Sequence, residues 1–86
     1  MPTITGTEGA DELVGTNGDD TIFGLGGNDY IVGLAGNDRI DGGQGSDTIL
    51  AGDGDDYVVA GYGDSIDGGS GRDTMDASSL ALQLRF

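Results

Sequence analysis

Cysteine, histidine, lysine and tryptophan are all missing from this 86-residue chain, and proline occurs once. Without cysteine there are no disulfides and no thiolate ligands. Without histidine the commonest zinc ligand set is excluded, and no nucleophile–base pair can be built through His or Cys. The only basic side chains are Arg39, Arg72 and Arg85, scattered along a chain with 16 Asp and Glu and a net charge of −13. Phosphate recognition needs clustered Lys and Arg, so no nucleic acid partner is expected. No apolar run reaches the length of a transmembrane helix, so membrane insertion is not expected either. Residues 1–5 show no basic region followed by an apolar stretch, and so no cleavable secretory signal. A chain this short is marginally stable without a disulfide, a metal or a partner. What remains is oxygen chemistry. Carboxylates, hydroxyls and backbone carbonyls suit hard cations such as Ca²⁺ and Mg²⁺.

Glycine is what the chain has in quantity, 19 residues of it. Its spacing is not the three of collagen. From Gly6 the sequence divides into GTEGADELV, GTNGDDTIF, GLGGNDYIV, GLAGNDRID, GGQGSDTIL, AGDGDDYVV, a short AGYGDSID, and GGSGRDTMD. The fourth position is Gly in all eight units: Gly9, Gly18, Gly27, Gly36, Gly45, Gly54, Gly63 and Gly71. The sixth is Asp in all eight, if the short unit lacks its fifth residue: Asp11, Asp20, Asp29, Asp38, Asp47, Asp56, Asp64 and Asp73. The eighth is aliphatic or Met throughout: Leu13, Ile22, Ile31, Ile40, Ile49, Val58, Ile66 and Met75. Glycine gives tight turns at little steric cost, so the first half of each unit reads as a turn. The last three residues place one aliphatic side chain between two others, which suits a very short strand with one inward side chain. Two units then make one coil of a solenoid, with a turn at each end and a strand on each side.

Units such as GGQGSDTIL and GGSGRDTMD resemble the RTX nonapeptide GGxGxDxUx, a calcium-binding β-helix repeat. The resemblance spans residues 6–76. It implies an all-β fold, a right-handed parallel β-roll, with Ca²⁺ held between successive turns on the same side. The implied ligands are the Asp carboxylates of the sixth column together with turn carbonyls. Those carbonyls are expected at the first and third positions: Gly6, Glu8, Gly15, Asn17, Gly24, Gly26, Gly33, Ala35, Gly42, Gln44, Ala51, Asp53, Gly68 and Ser70. Two carboxylates and several carbonyls per ion make a reasonable calcium shell, whereas Mg²⁺ keeps its waters and demands octahedral geometry. Four turns on each side enclose three gaps, so six ions are expected, nearly cancelling the charge of −13. The gap involving the short unit at 60–67 is the weakest expected site. The resemblance further implies a secreted, extracellular protein exported unfolded by type I secretion, although no C-terminal export signal is evident here.

The expected organisation is a lead-in or cap over 1–5, the β-roll over 6–76 and a C-terminal capping strand over 77–86. That last strand is read from the alternation of Leu80, Leu82, Leu84 and Phe86 with smaller or polar residues, and repeat stacks need caps. Ninth-position side chains should point outward, giving a stripe of Val14, Val32 and Leu50 that ordinary cross-strand pairing explains. A neighbouring domain or a second copy would meet these strand faces or the C-terminal strand. Three function classes compete. A calcium-dependent folding module of a secreted protein is preferred. An enzyme is disfavoured, because the repeat accounts for the carboxylates and leaves no room for a catalytic domain. A docking or adhesin segment, or a non-catalytic accessory module of a secreted hydrolase or epimerase, is the alternative. The third and fifth columns carry no Thr/Asn ladder of the kind an ice-binding face requires.

Overall fold

Three residues of each nonapeptide are extended and the remainder turn. A computed structural model describes residues 3–59, 61 and 63–76. The strands are β1 (Thr3–Thr5), β2 (Glu12–Val14), β3 (Thr21–Phe23), β4 (Tyr30–Val32), β5 (Arg39–Asp41), β6 (Thr48–Leu50), β7 (Tyr57–Val59), β8 (Ser65–Asp67) and β9 (Thr74–Asp76). Each is three residues long, and β2 to β9 are the last three residues of their units. They form two parallel sheets, ordered β1-β3-β5-β7-β9 and β2-β4-β6-β8. The register advances by 18 residues per layer, as Ile22 lies beside Ile40 and Ile31 beside Ile49, and by 17 across the short unit, where Ile49 lies beside Ile66 and Val58 beside Met75. The protein is therefore a parallel β-roll, and like columns stack on like.

The eighth column fills the space between the sheets. Ile22, Ile31, Ile40, Ile49 and Val58 are buried, together with Ala51, and Ile4, Leu13 and Ile66 pack against them. Not every member of the column is sealed. Met75 is 53 % exposed, because β9 pairs on one side only among the described residues. At the other end β1 is more than the lead-in or cap expected over 1–5. It is a full ladder strand, with Ile4 beside Ile22. Thr3-Ile4-Thr5 shares with the later strands an aliphatic or Met residue at its centre.

The ninth column is less exposed than expected. Phe23, Val32, Leu50 and Val59 are half-buried, and of the apolar members only Val14 stands well out. Val14 neighbours Val32, and Val32 neighbours Leu50, across adjacent strands. On the outer face of the larger sheet the Arg39 guanidinium sits 5.2 Å from the centroid of the Tyr57 ring. The Tyr57 hydroxyl donates to Asp76 Oδ2 at 2.9 Å. The expected capping strand over 77–86, together with Met1, Pro2, Ala60 and Tyr62, lies outside the described residues.

Candidate metal centre

The glycines set how closely the turns stack. Gly36 has φ 92°, and a Cβ built on it would lie 2.5 Å from both the carbonyl carbon and oxygen of Gly18 in the layer before. No side chain fits there. From the second layer on, Gly27, Gly36, Gly45, Gly54 and Gly71 are thus glycine for a reason of space as well as conformation, whereas Gly9 and Gly18 in the first layer have room to spare.

This close stacking draws the sixth-column aspartates into a continuous ladder on each side. The main-chain N–H of Asp11 donates to Asp29 Oδ1 at 2.9 Å, and that of Asp29 to Asp47 Oδ1 at 2.8 Å. On the opposite side Asp20 donates to Asp38 Oδ1 at 2.9 Å, and Asp38 to Asp56 Oδ1 at 2.8 Å. The last layer joins both ladders, Asp47 to Asp64 at 2.8 Å and Asp56 to Asp73 at 3.0 Å. The short unit is therefore in register at Asp64. The missing residue is absorbed between Gly63 and Asp64, and Ser65 pairs with Thr48 as a full-length unit would.

Five of these aspartates, Asp20, Asp29, Asp38, Asp47 and Asp56, are only 1–3 % exposed. Asp11 and Asp64 are half-buried and Asp73 is exposed at the end of the stack. Four of the five carry an Oδ2 that is buried and accepts no hydrogen bond: Asp29, Asp38, Asp47 and Asp56. Burying a carboxylate oxygen without a partner is costly, and a bound cation is one way to offset that cost. A Cβ built on Gly24 would lie 2.6 Å from Asp29 Oδ2 and 2.6 Å from the Gly42 carbonyl oxygen. One built on Gly33 would lie 2.6 Å from Asp38 Oδ2 and 2.5 Å from the Ala51 carbonyl oxygen. Carboxylate and carbonyl oxygens of two layers thus face one point beside the first residue of the turn. Among the described residues no three acidic side chains converge, so any ion here relies on backbone oxygens for the rest of its shell.

The carbonyls divide cleanly. Those of the sixth and ninth positions accept strand and turn N–H groups, as from Tyr30 to Asp11 and from Gly24 to Asp41. Among the described residues those of the first, third, fourth and fifth positions accept none. The first and third were expected to be available; the fourth and fifth were not singled out. Sequence reasoning also missed a second ladder in the fifth column. Asn37 N–H donates to Asp19 Oδ1, Asp55 N–H to Asn37 Oδ1, and Arg72 N–H to Asp55 Oδ1, at 2.7–2.8 Å. Opposite, Ser46 N–H donates to Asn28 Oδ1 at 2.9 Å. These bonds run from later layer to earlier, the reverse of the sixth column. The signal was present in Asp19, Asn28, Asn37 and Asp55, whose short side chains bond readily to backbone.

Without metal three of the buried aspartates, Asp38, Asp47 and Asp56, hold their protons more tightly than a free carboxyl. Burial, reinforced by the charges of Asp56 and Asp20, pushes Asp38 up to about 7 against an opposing backbone hydrogen bond. Burial likewise pushes Asp47 and Asp56 up to about 6. The folded chain then binds more protons than the unfolded one between the ordinary value of 3.8 and these raised values. Stability of the metal-free roll is present below that window and lost as pH rises through about 6 to 7. In chelator, acidification from neutral pH towards 3.8 is expected to increase the strand signal in circular dichroism. A decrease on acidification would contradict the assignment of buried, uncompensated carboxylates.

The repeats match the family model described as the RTX calcium-binding nonapeptide repeat, over residues 5–40, 32–64 and 61–79. Among solved structures the chain resembles the solution structure of the AlgE6R3 subunit from the Azotobacter vinelandii mannuronan C5-epimerase. The two are 39 % identical with a TM-score of 0.76, over 87 % of this chain. The chain spans about half the length of that subunit, 49 % of it. No curated protein matches the sequence. On the family match, which covers most of its length, the chain belongs to the RTX calcium-binding nonapeptide repeats.

Proposed function

We propose that this chain is a calcium-dependent folding module of a secreted, extracellular protein, without catalytic chemistry of its own. The observation that carries it is the set of four buried, unpartnered Oδ2 atoms on Asp29, Asp38, Asp47 and Asp56. They lie in a family of calcium-binding repeats. The sixth-column aspartates Asp11, Asp20, Asp29, Asp38, Asp47, Asp56, Asp64 and Asp73 supply the charge. Carbonyls of the first and third positions supply neutral oxygens. Six gaps between stacked turns are available to ions. Bound calcium supplies positive charge that links adjacent layers, while the glycine turns keep those layers close. A role as accessory module beside a catalytic domain is a compatible second reading. The likeness to a subunit of a mannuronan C5-epimerase favours it.

Isothermal titration tests the reading. Calcium is expected to bind in the range of extracellular modules, roughly 10⁻⁴–10⁻³ M, and magnesium far more weakly. Replacing the two central carboxylates, Asp38→Asn with Asp47→Asn, is expected to abolish most of the calcium heat. A chain that takes up no calcium at millimolar concentration, or a double variant that binds as well as the parent, refutes it.

A further inference from the structure

The stacked turns are of two kinds. In turns 24–29, 33–38, 42–47, 51–56 and 68–73 the second residue is left-handed. These residues are Leu25, Leu34, Gly43, Gly52 and Gly69, with φ between 65° and 87°. Leu25 and Leu34 hold this conformation despite their side chains, which L-residues rarely do. In turns 6–11, 15–20 and 60–64 the second residue, Thr7, Thr16 or Gly61, is not left-handed.

The difference decides what the column carboxylate meets. In the second kind, the second residue's N–H donates to Oδ2 of its own turn's aspartate. Thr7 reaches Asp11 at 2.6 Å, Thr16 reaches Asp20 at 2.7 Å, and Gly61 reaches Asp64 at 2.6 Å. The threonines close the ring further. The Thr7 hydroxyl donates to the Asp11 carboxylate, at 3.1 Å to Oδ1 and 3.0 Å to Oδ2. The Thr16 hydroxyl donates to Asp20 Oδ1 at 2.8 Å. Each hydroxyl also accepts the N–H of the fourth-position glycine, Gly9 or Gly18, at 3.2 Å. In the left-handed turns the second residue's N–H points elsewhere. Gly43 donates to Asp41 Oδ1 at 2.9 Å and Gly69 to Asp67 Oδ1 at 3.0 Å. The Oδ2 atoms of Asp29, Asp38, Asp47 and Asp56 are left buried and bare. Asp73, the aspartate of the remaining left-handed turn, is exposed at the end of the stack. Among the described residues the division has no exception.

A self-closed turn already satisfies its carboxylate with charge-assisted hydrogen bonds. To hold an ion it must surrender them. An open turn surrenders nothing and relieves a desolvated charge. Building on the calcium reading above, we infer that only gaps bounded by two open turns are strong calcium sites. There are three: between turns 24–29 and 42–47, between 33–38 and 51–56, and between 51–56 and 68–73. Thr7 and Thr16 close the first turn on each side and make the N-terminal end of the roll a metal-free terminus. The gap at the short unit borders the third closed turn.

Equilibrium dialysis with radioactive calcium on the intact chain counts the ions directly. The expected plateau is three, with further ions weaker by about tenfold or more, because hydrogen bonds to a charge must first be broken. The variant carrying Thr7→Gly and Thr16→Gly takes the second-position residue of the open nine-residue units, Gly43, Gly52 and Gly69, the closed Gly61 lying in a unit one residue short, and is expected to raise the plateau to five. Six equivalent ions in the parent chain overturn the inference, as does a folded variant whose count stays at three. The parent count decides the matter if the variant does not fold. A chain that binds no calcium at all instead refutes the broader reading on which this one rests.

Discussion

In excess chelator at neutral pH the chain is expected to lose its strand signal in far-ultraviolet circular dichroism and regain it when calcium is returned. The fully sealed core consists of Ile22, Ile31, Ile40, Ile49, Ala51 and Val58, little apolar matter for a chain of 86 residues. Small domains of this kind generally need staples, and cysteine is absent. Meanwhile the column aspartates stack 18 residues apart in direct contact through their backbone bonds. At neutral pH the unpaired charges among them oppose the fold, for burial raises Asp47 and Asp56 only to about 6. When a site forms only on folding, the free energy of metal binding becomes folding free energy. The effect is therefore close to all-or-none. A chelated chain with an undiminished strand signal at neutral pH would show that the roll stands without its ions.

Ile40→Ala is expected to be the most damaging single truncation of the core. Ile40 is fully buried and lies in β5, the middle strand of the larger sheet, between Ile22 and Val58. Neighbours on both sides limit how far the roll can collapse around the gap. The expected cost is about 2–5 kcal/mol. Because folding and binding share one equilibrium, the loss appears as a higher calcium midpoint. A cost of about 4 kcal/mol, spread over three ions bound cooperatively, moves the midpoint about tenfold. Thr48→Ala, on the exposed face of β6, serves as the control and is expected to stay within about 0.5 kcal/mol of the parent. Equal midpoints for the two variants would mean that the aliphatic column contributes nothing.

The repeat made the fold legible. A nine-residue period, an aliphatic eighth position and glycine turns led to stacked three-residue strands, and the 18-residue register follows once two units form a coil. The sixth-column aspartates were legible as a column because their identity never varies. What stayed hidden depends on differences between units that look interchangeable. Thr7, Thr16, Leu25 and Gly43 all occupy the second position, yet they produce two backbone conformations and two fates for the carboxylate. No periodicity analysis separates them, since the distinction lies in a dihedral angle. The fifth-column ladder was overlooked for another reason. Its members vary among Asp, Asn, Ser, Ala and Arg, so the column reads as variable, while the Oδ1 that Asp and Asn share is what bonds to the next layer. β1 was underestimated because no glycine turn introduces it.

The alternation of strands between two sheets gives the array a parity. Removing or adding one nonapeptide transfers every later strand to the opposite wall. Tyr57 would then no longer lie in one sheet with Arg39 unless both had moved together. Changes made in pairs leave each wall's sequence of neighbours intact apart from the new layer. Lengthening of such a scaffold by duplication is therefore least disruptive in steps of one whole coil, and an odd step is tolerated only where the two walls carry equivalent outer residues.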